Sequence, residues 1–174
     1  MSEQPVIYTI GHSNHSLERF LELVRRHEIG MLVDVRSQPY SRHVPHFNMH
    51  VMEKAARKAG LLYLHLGREL GGRRTEKELY DADGRLNVLR TIDSPLFRLG
   101  ILRIEDLMRR YRLALVCAEE NPLRCHRFHL VARALRARRI PVAHIRGDGR
   151  LQDQSELIAE ARAAGQDDDQ LDLF

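Results

Sequence analysis

Short β-rich runs alternate along the chain with stretches whose apolar residues recur at helical spacing. Residues 6–10 (VIYTI) form the first such run and end at Gly11, which predicts a strand. Ser16 is placed to cap a helix carrying Leu17, Phe20, Leu21, Leu23 and Val24 on one side, with Gly30 expected to close it. A buried-type strand follows at 31–35 (MLVDV), then a polar loop with two prolines at 37–48, then a helix over 49–59 ending at Gly60. Residues 61–66 (LLYLHL) read as a third strand. Residues 72–94 carry Gly, Asp and charge with weak periodicity, the pattern of an insertion or lid. A helix over 96–111 leads to a strand at 113–117 (LALVC), and a helix over 124–138 to a strand at 141–145. Strands alternating with helices predict an α/β fold of three layers, with a mainly parallel sheet of about five strands. The domain is expected to span 1–164, with 165–174 an acidic tail outside it.

Ligands of parallel sheets bind beyond the carboxyl ends of the strands, so the residues falling there are the candidates. They are Gly11 to Asn14 after the first strand and Asp34, Arg36 and Arg42 on and after the second. Gly67, Arg68 and Glu69 follow the third, and Cys117, Glu119, Glu120, Cys125, His126 and Arg127 the fourth. His144 lies on the fifth strand. Reactive or ligand-binding side chains at every strand end predict a site on this rim.

Composition narrows the class. No apolar run approaches the ~20 residues of a membrane span, and 43% hydrophobic with 30% charged residues describes an ordinary globular chain. Two cysteines exclude a disulfide scaffold, and no secretory signal opens the chain, so a cytoplasmic location and no membrane partner are expected. The net charge is +4 overall. Without the last ten residues, which hold four Asp, 28 basic face 20 acidic residues, a net +8. That balance suits a polyanion such as nucleic acid. At 6% aromatic and without Trp, the chain offers little for single-stranded bases to stack on, and no acidic cluster has the spacing of a magnesium nuclease.

The densest chemistry lies at 117–127 (CAEENPLRCHR). Cys125 near a helix start is expected to have a lowered thiol pKa, with His126 and Arg127 beside it, whereas Cys117 reads as a small buried hydrophobe. A phosphatase-type loop needs Cys, five residues, then Arg; from Cys117 the sixth position is Leu123. LVDVRS at 32–37 looks like the strand signature of rhodaneses, but Glu119 and Glu120 oppose a thiolate there. A metal site on Cys117, Cys125, His126 and Glu119 lacks a recognised zinc spacing, so no cofactor is expected. His12 and His126 are candidate acids or bases, Asp34 and Glu119 their carboxylate partners. Arg36, Arg42, Arg68 and Arg127 are candidate anion clamps.

Four blocks in order, TIGHSN at 9–14, LVDVRSQPYSR at 32–42, YLHLGRELGG at 63–72 and CAEENPLRCHR at 117–127, resemble the DUF488 family of domains of unknown function. The resemblance covers residues 6–147. It implies an α/β domain whose shared polar residues gather at one site, and no particular reaction. The residues it carries over as candidates are His12, Ser13, Asp34, Arg36, Arg42, Gly67, Glu119, Cys125, His126 and Arg127.

The tail resembles the peptide by which bacterial replication and repair proteins dock on the DNA sliding clamp. In QLDLF, Leu171, Leu173 and Phe174 would fill an apolar groove, Gln170 would hydrogen-bond at its edge, and Asp172 occupies the motif's small polar position. Tethering raises the local concentration of a weak DNA-acting domain. The expectation is therefore a DNA-associated accessory enzyme of replication or repair that acts on nucleic acid. Two alternatives stand beside it. One is a cytoplasmic small-molecule enzyme with a Cys/His/Arg anion site, the other a non-catalytic adaptor between DNA and clamp.

Overall fold

The computed structural model describes residues 5–166; the clamp-like peptide Gln170, Leu171, Asp172, Leu173 and Phe174 lies outside them. Six strands form one sheet in the order β3-β2-β4-β1-β5-β6. They are β1 (Ile7–Gly11), β2 (Met31–Asp34), β3 (Leu62–His65), β4 (Leu113–Cys117), β5 (Val142–Ile145) and β6 (Leu151–Asp153). The first five pair in parallel, and β6 adds antiparallel on β5. The five parallel strands match the alternation in the sequence. β6 does not show in the hydropathy pattern, because it is three residues long with two exposed.

Helices cover both faces. Leu17–Arg26 (α1) and Met49–Lys58 (α2) lie on one, where Phe20, Leu23, Val24, Met52 and Ala56 pack against Ile10, Leu32, Val116 and Ile145. On the other, Phe97, Ile101 and Ile104 of Pro95–Met108 (numbered α5 below) join Leu70, Leu130 and Leu135 over Val33, Leu115 and Val142. The alternation of side chains along each strand divides the core into these two layers. Between β3 and α5 run two short helices, Gly67–Leu70 (α3) and Val88–Asp93 (α4). Residues 72–94 are tied to the body through Arg74. Its buried guanidinium donates to the carbonyls of Arg68 and Glu69 at 3.0 and 2.9 Å and to the Glu76 carboxylate at 2.6 Å.

Three local details differ from the sequence reading. α1 starts at the Ser16 cap as expected, its hydroxyl accepting from Arg19 N. It ends, however, through Glu28 at φ 54° rather than through Gly30. The helix expected over 124–138 is present over 126–137 but not as a regular α-helix: Pro122–Arg124 form a 3-10 turn before it, Arg127–Ala132 are a π-helical turn, and Arg133–Ala137 continue it as α-helix, α6. After β6 comes Gln154–Ala163 (α7), opened by a reciprocal Asp153–Glu156 capping box. No helix among the described residues is long and apolar enough to cross a membrane.

Candidate functional site

The sheet order places the ends of β1 and β4 side by side, with Gly11 opposite Cys117 and Asp34 opposite Val116. Connections leave β1 towards β2 on one side and β4 towards β5 on the other. The crevice between their ends is therefore the switch point where such sheets bind ligands. A cavity of about 600 Å³ opens there, floored by His12, Arg36, Cys117 and His126 and rimmed by Ser13, Glu119, Tyr40 and Arg73. Gly11 makes the floor possible. A Cβ on it would lie 1.8 Å from the Glu119 carbonyl oxygen, so only glycine lets β1 and the loop after β4 approach this closely.

Three ligating groups converge on the floor. Cys125 donates its S–H to Cys117 Sγ at 2.8 Å, and His126 Nδ1 lies 3.6 Å from Cys117 Sγ and 3.9 Å from Cys125 Sγ. His126 Nε2 is 3.0 Å from the Val35 carbonyl, which can only accept. That bond fixes a proton on Nε2 and leaves Nδ1 facing the sulfurs. The hydrogen bonds from Cys125 and His126, together with the charges of His126 and Arg127, outweigh burial and hold the Cys117 thiol well below its ordinary value. Burial opposes the charge on His126, but the bond to Cys117, the Cys117 charge and the bond to the Val35 carbonyl together reverse this and raise its pKa. Both shifts favour the charged forms, a thiolate on Cys117 and an imidazolium on His126.

Cys125 departs from the sequence expectation. It caps the 3-10 turn in extended backbone instead of opening an α-helix. The Arg127 N–H of the helical segment that follows does face its sulfur at 3.5 Å, but sharing its proton with the neighbouring thiol outweighs this and pushes its pKa up. The activated thiol is Cys117, which the sequence reading treated as a buried hydrophobe.

Arg127 also takes a different place. It is 0% exposed. Nη2 donates to the Glu120 carbonyl at 2.7 Å, while Nε and Nη1 find no acceptor among the described residues. It does not line the cavity; it sets a buried positive charge behind the two sulfurs, where it favours their anionic form. Glu120, the nearer acid of the loop, is turned away. Its carboxylate binds Arg146 Nε and Gly147 N at 2.9 and 3.0 Å and is held down to about 2, chiefly by that arginine. Glu119 stands exposed on the rim.

A second network stiffens the wall. Asp34 accepts from Arg36 Nε and Nη2 at 2.9 and 2.6 Å and from the Tyr63 hydroxyl at 2.6 Å. Arg36 Nη1 in turn donates to His12 Nε2 at 3.0 Å, while His12 Nδ1 donates to the Ser13 carbonyl. With both nitrogens engaged and its ring stacked on Phe47, His12 is neutral; burial brings its pKa down to about 4. It therefore has no lone pair for acid–base work, and Asp34 serves Arg36 rather than a histidine.

A family model described as "Domain of unknown function DUF488" matches residues 16–134. The chain belongs to the DUF488 family. The matched part of this DUF488 domain runs from the cap of α1 into α6, so it takes in Asp34, Arg36 and the whole Cys117–Arg127 loop and begins just after the His12 turn. No curated protein and no solved structure matches the chain.

Of the residues expected at the site, the DUF488 domain brings His12, Ser13, Arg36, Glu119 and His126 to the cavity, with Cys125 directly behind Cys117. Gly67 lies buried against the Arg36 carbonyl, which a Cβ would meet at 2.0 Å, and keeps β2 and α3 close. Arg42 and Arg68 are exposed and do not line the cavity. Sequence reasoning missed Tyr40 and Arg73. Tyr40 is 68% exposed at the rim, and Arg73 is fixed by its N–H to Ser37 Oγ and its guanidinium to Gln38. Their only signal was their place in polar loops. Cys117, Cys125 and His126 present three metal-ligating atoms within 4.8 Å of one another, and the Nε2–H bond to Val35 is of the kind that orients a metal-bound imidazole. Two thiolates on one tetrahedral zinc, with Zn–S near 2.3 Å, would stand ~3.8 Å apart. The sulfurs, at 2.8 Å, would have to separate to hold one.

Proposed function

We propose that this protein is a thiol-dependent enzyme whose nucleophile is Cys117 and whose substrate is anionic. One observation carries the reading: a cysteine at the floor of the switch-point cavity, hydrogen-bonded both by His126 and by a second thiol. A thiolate in this setting attacks, and the imidazolium 3.6 Å away returns a proton to the leaving group. The charge balance supports an anion. Asp34 cancels Arg36, Glu120 cancels Arg146, and Cys117 cancels His126. The Arg127 charge is left over beneath the cavity, and Glu119 and Arg73 oppose one another on the rim.

The test is alkylation by iodoacetamide across pH, read by peptide mass. Cys117 is expected to react with a midpoint well below 9, with Cys125 spared. Slow labelling of Cys117 at every pH below 9 would rule out the activated thiolate.

A second reading concerns place rather than chemistry, and QLDLF at 170–174 with the +8 charge of the preceding chain favours it. The protein works at DNA, tethered to the sliding clamp, on a substrate found there. Micromolar binding to a purified bacterial clamp that is lost on removing residues 170–174 is the expected result; absence of binding by the full chain would withdraw the DNA role.

A further inference from the structure

We propose that Cys117 and Cys125 are a catalytic dithiol that reduces an anionic disulfide: Cys117 attacks the bound substrate and Cys125 resolves the resulting adduct. The inference rests on the thiol reading above and goes beyond it in naming the second sulfur and the class of bond broken.

The two cysteines are not equivalent. Cys117 lines the cavity; Cys125 does not, and lies behind it at 2.8 Å. This separation sits between the ~2.05 Å of a disulfide and the ~3.8 Å that a shared zinc imposes, and nearer to the disulfide. The intervening chain is held. Asn121 caps Leu123 N, the Pro122–Arg124 turn follows, and Cys125 N donates to the Pro122 carbonyl. A resolving thiol must stay protonated until the adduct forms, and this site provides for that. The Cys117 thiolate keeps the Cys125 proton in place. Once Cys117 is bonded to substrate sulfur its charge is gone, and the Arg127 backbone N–H and guanidinium then favour a Cys125 thiolate. His126 Nδ1 is within 4 Å of both sulfurs, so one imidazole can serve both steps.

The chemistry balances. Cys117 thiolate attacks one sulfur of R–S–S–R′, forming Cys117–S–S–R, and R′–S⁻ leaves with the proton of the His126 imidazolium. Cys125 gives its proton to the freed Nδ1 and attacks Cys117 Sγ. The Cys117–Cys125 disulfide forms, and R–S⁻ leaves. The substrate gains two electrons and the dithiol loses them; an external dithiol reductant restores the enzyme.

The full-length reduced protein is mixed with 5,5′-dithiobis(2-nitrobenzoate), an anionic disulfide whose released thiolate is coloured. Wild type should release about two equivalents. The second should follow first-order kinetics independent of protein concentration, and the chain should end as an internal disulfide with no adduct mass. Cys125→Ser should release about one equivalent and keep the adduct on Cys117; Cys117→Ser should lose the fast release. A wild-type chain that stops at a stable mixed disulfide would overturn the proposal and leave the thiol reading standing. No fast release from wild type or Cys125→Ser would sink both. Fast release from Cys117→Ser would reverse the assigned roles and reject the proposal. Wild-type mass alone decides the matter should a variant fail to fold.

Discussion

Replacing Asp34 by Asn tests whether the carboxylate is scaffold or catalyst. Asp34 is fully buried and is the counter-charge of Arg36, itself buried. Asparagine keeps the shape but turns one acceptor into a donor and removes the charge, leaving the guanidinium uncompensated. Breaking one partner of a buried pair costs about 3–5 kcal/mol. Arg36 keeps its bonds to the Phe47 carbonyl and to His12, so the lower end, about 3 kcal/mol, is expected. Set against a total stability of about 5–15 kcal/mol, that is a large fraction. With a urea m-value of about 2–3 kcal/mol/M the midpoint should fall by roughly 1–1.5 M. The assay is urea unfolding followed by circular dichroism for Asp34→Asn, Arg36→Met and the double variant. The double should lose less than the sum of the singles, because it leaves no orphan charge. An Asp34→Asn midpoint within about 0.5 M of wild type at unchanged m would refute the argument. A loss of Cys117 alkylation without loss of stability would return Asp34 to the chemistry.

Three further outcomes follow from the geometry. His126→Ala removes the hydrogen bond and charge that help hold Cys117 ionised, so the alkylation midpoint should rise towards the ordinary value and labelling at pH 7 should slow by about tenfold or more; an unmoved midpoint would leave His126 without that role. His12 and His144 are buried and neutral, with pKa values brought down to about 4 chiefly by burial, whereas unfolded imidazoles take up protons near 6.5. Their stability contribution is therefore full above pH 6.5 and lost as pH falls through 4. About 1.5 kcal/mol apiece should disappear between pH 6.5 and 5, and a flat urea midpoint across that window would contradict it. Gly11→Ala drives a Cβ into the Glu119 backbone and strains the bonds from His12 N and Ser13 N to the Cys117 and Ala118 carbonyls. It should cost about 3 kcal/mol or more. Gly30→Ala, whose Cβ would meet only the Arg112 carbonyl at 3.9 Å, should cost under about 0.5 kcal/mol.

Where local pattern and tertiary structure agree, the chain could be read directly. β1, β2 and β4 are short, mostly apolar runs flanked by polar strand ends. Alternation with helices is enough to put His12, Arg36 and the Cys117 loop on one rim. Ser16 announces α1 because its capping bond is local. What could not be read depends on the phase of the backbone. Cys125 does stand just before a helical segment, but the turn that Pro122 starts brings its sulfur to 2.8 Å from Cys117, and donating its proton there reverses which thiol is activated. Arg36 and Arg127 both look like anion clamps. Only the fold shows that one is spent on Asp34 and the other is buried behind the sulfurs. β6 and α7 carry too weak a pattern for detection, although Asp153 and Glu156 hold the spacing of a capping box.

The π-helical turn at Arg127–Ala132 has a consequence for how the site tolerates changes in chain length. A π turn holds one residue more than the α turn it replaces, and α6 beyond it is anchored by Ala134 and Leu135 in the core. Deleting a single residue from 127–132 would let the segment rewind as continuous α-helix on that fixed anchor. Because the extra residue is spent inside one turn, the residues on its amino-terminal side stay in phase with α6, and His126 keeps its place beside Cys117. A second deletion has no such slack and would rotate His126 by about 100° off Cys117. Relatives one residue shorter in this turn should therefore keep the thiolate, and those two residues shorter should keep the sheet and lose it.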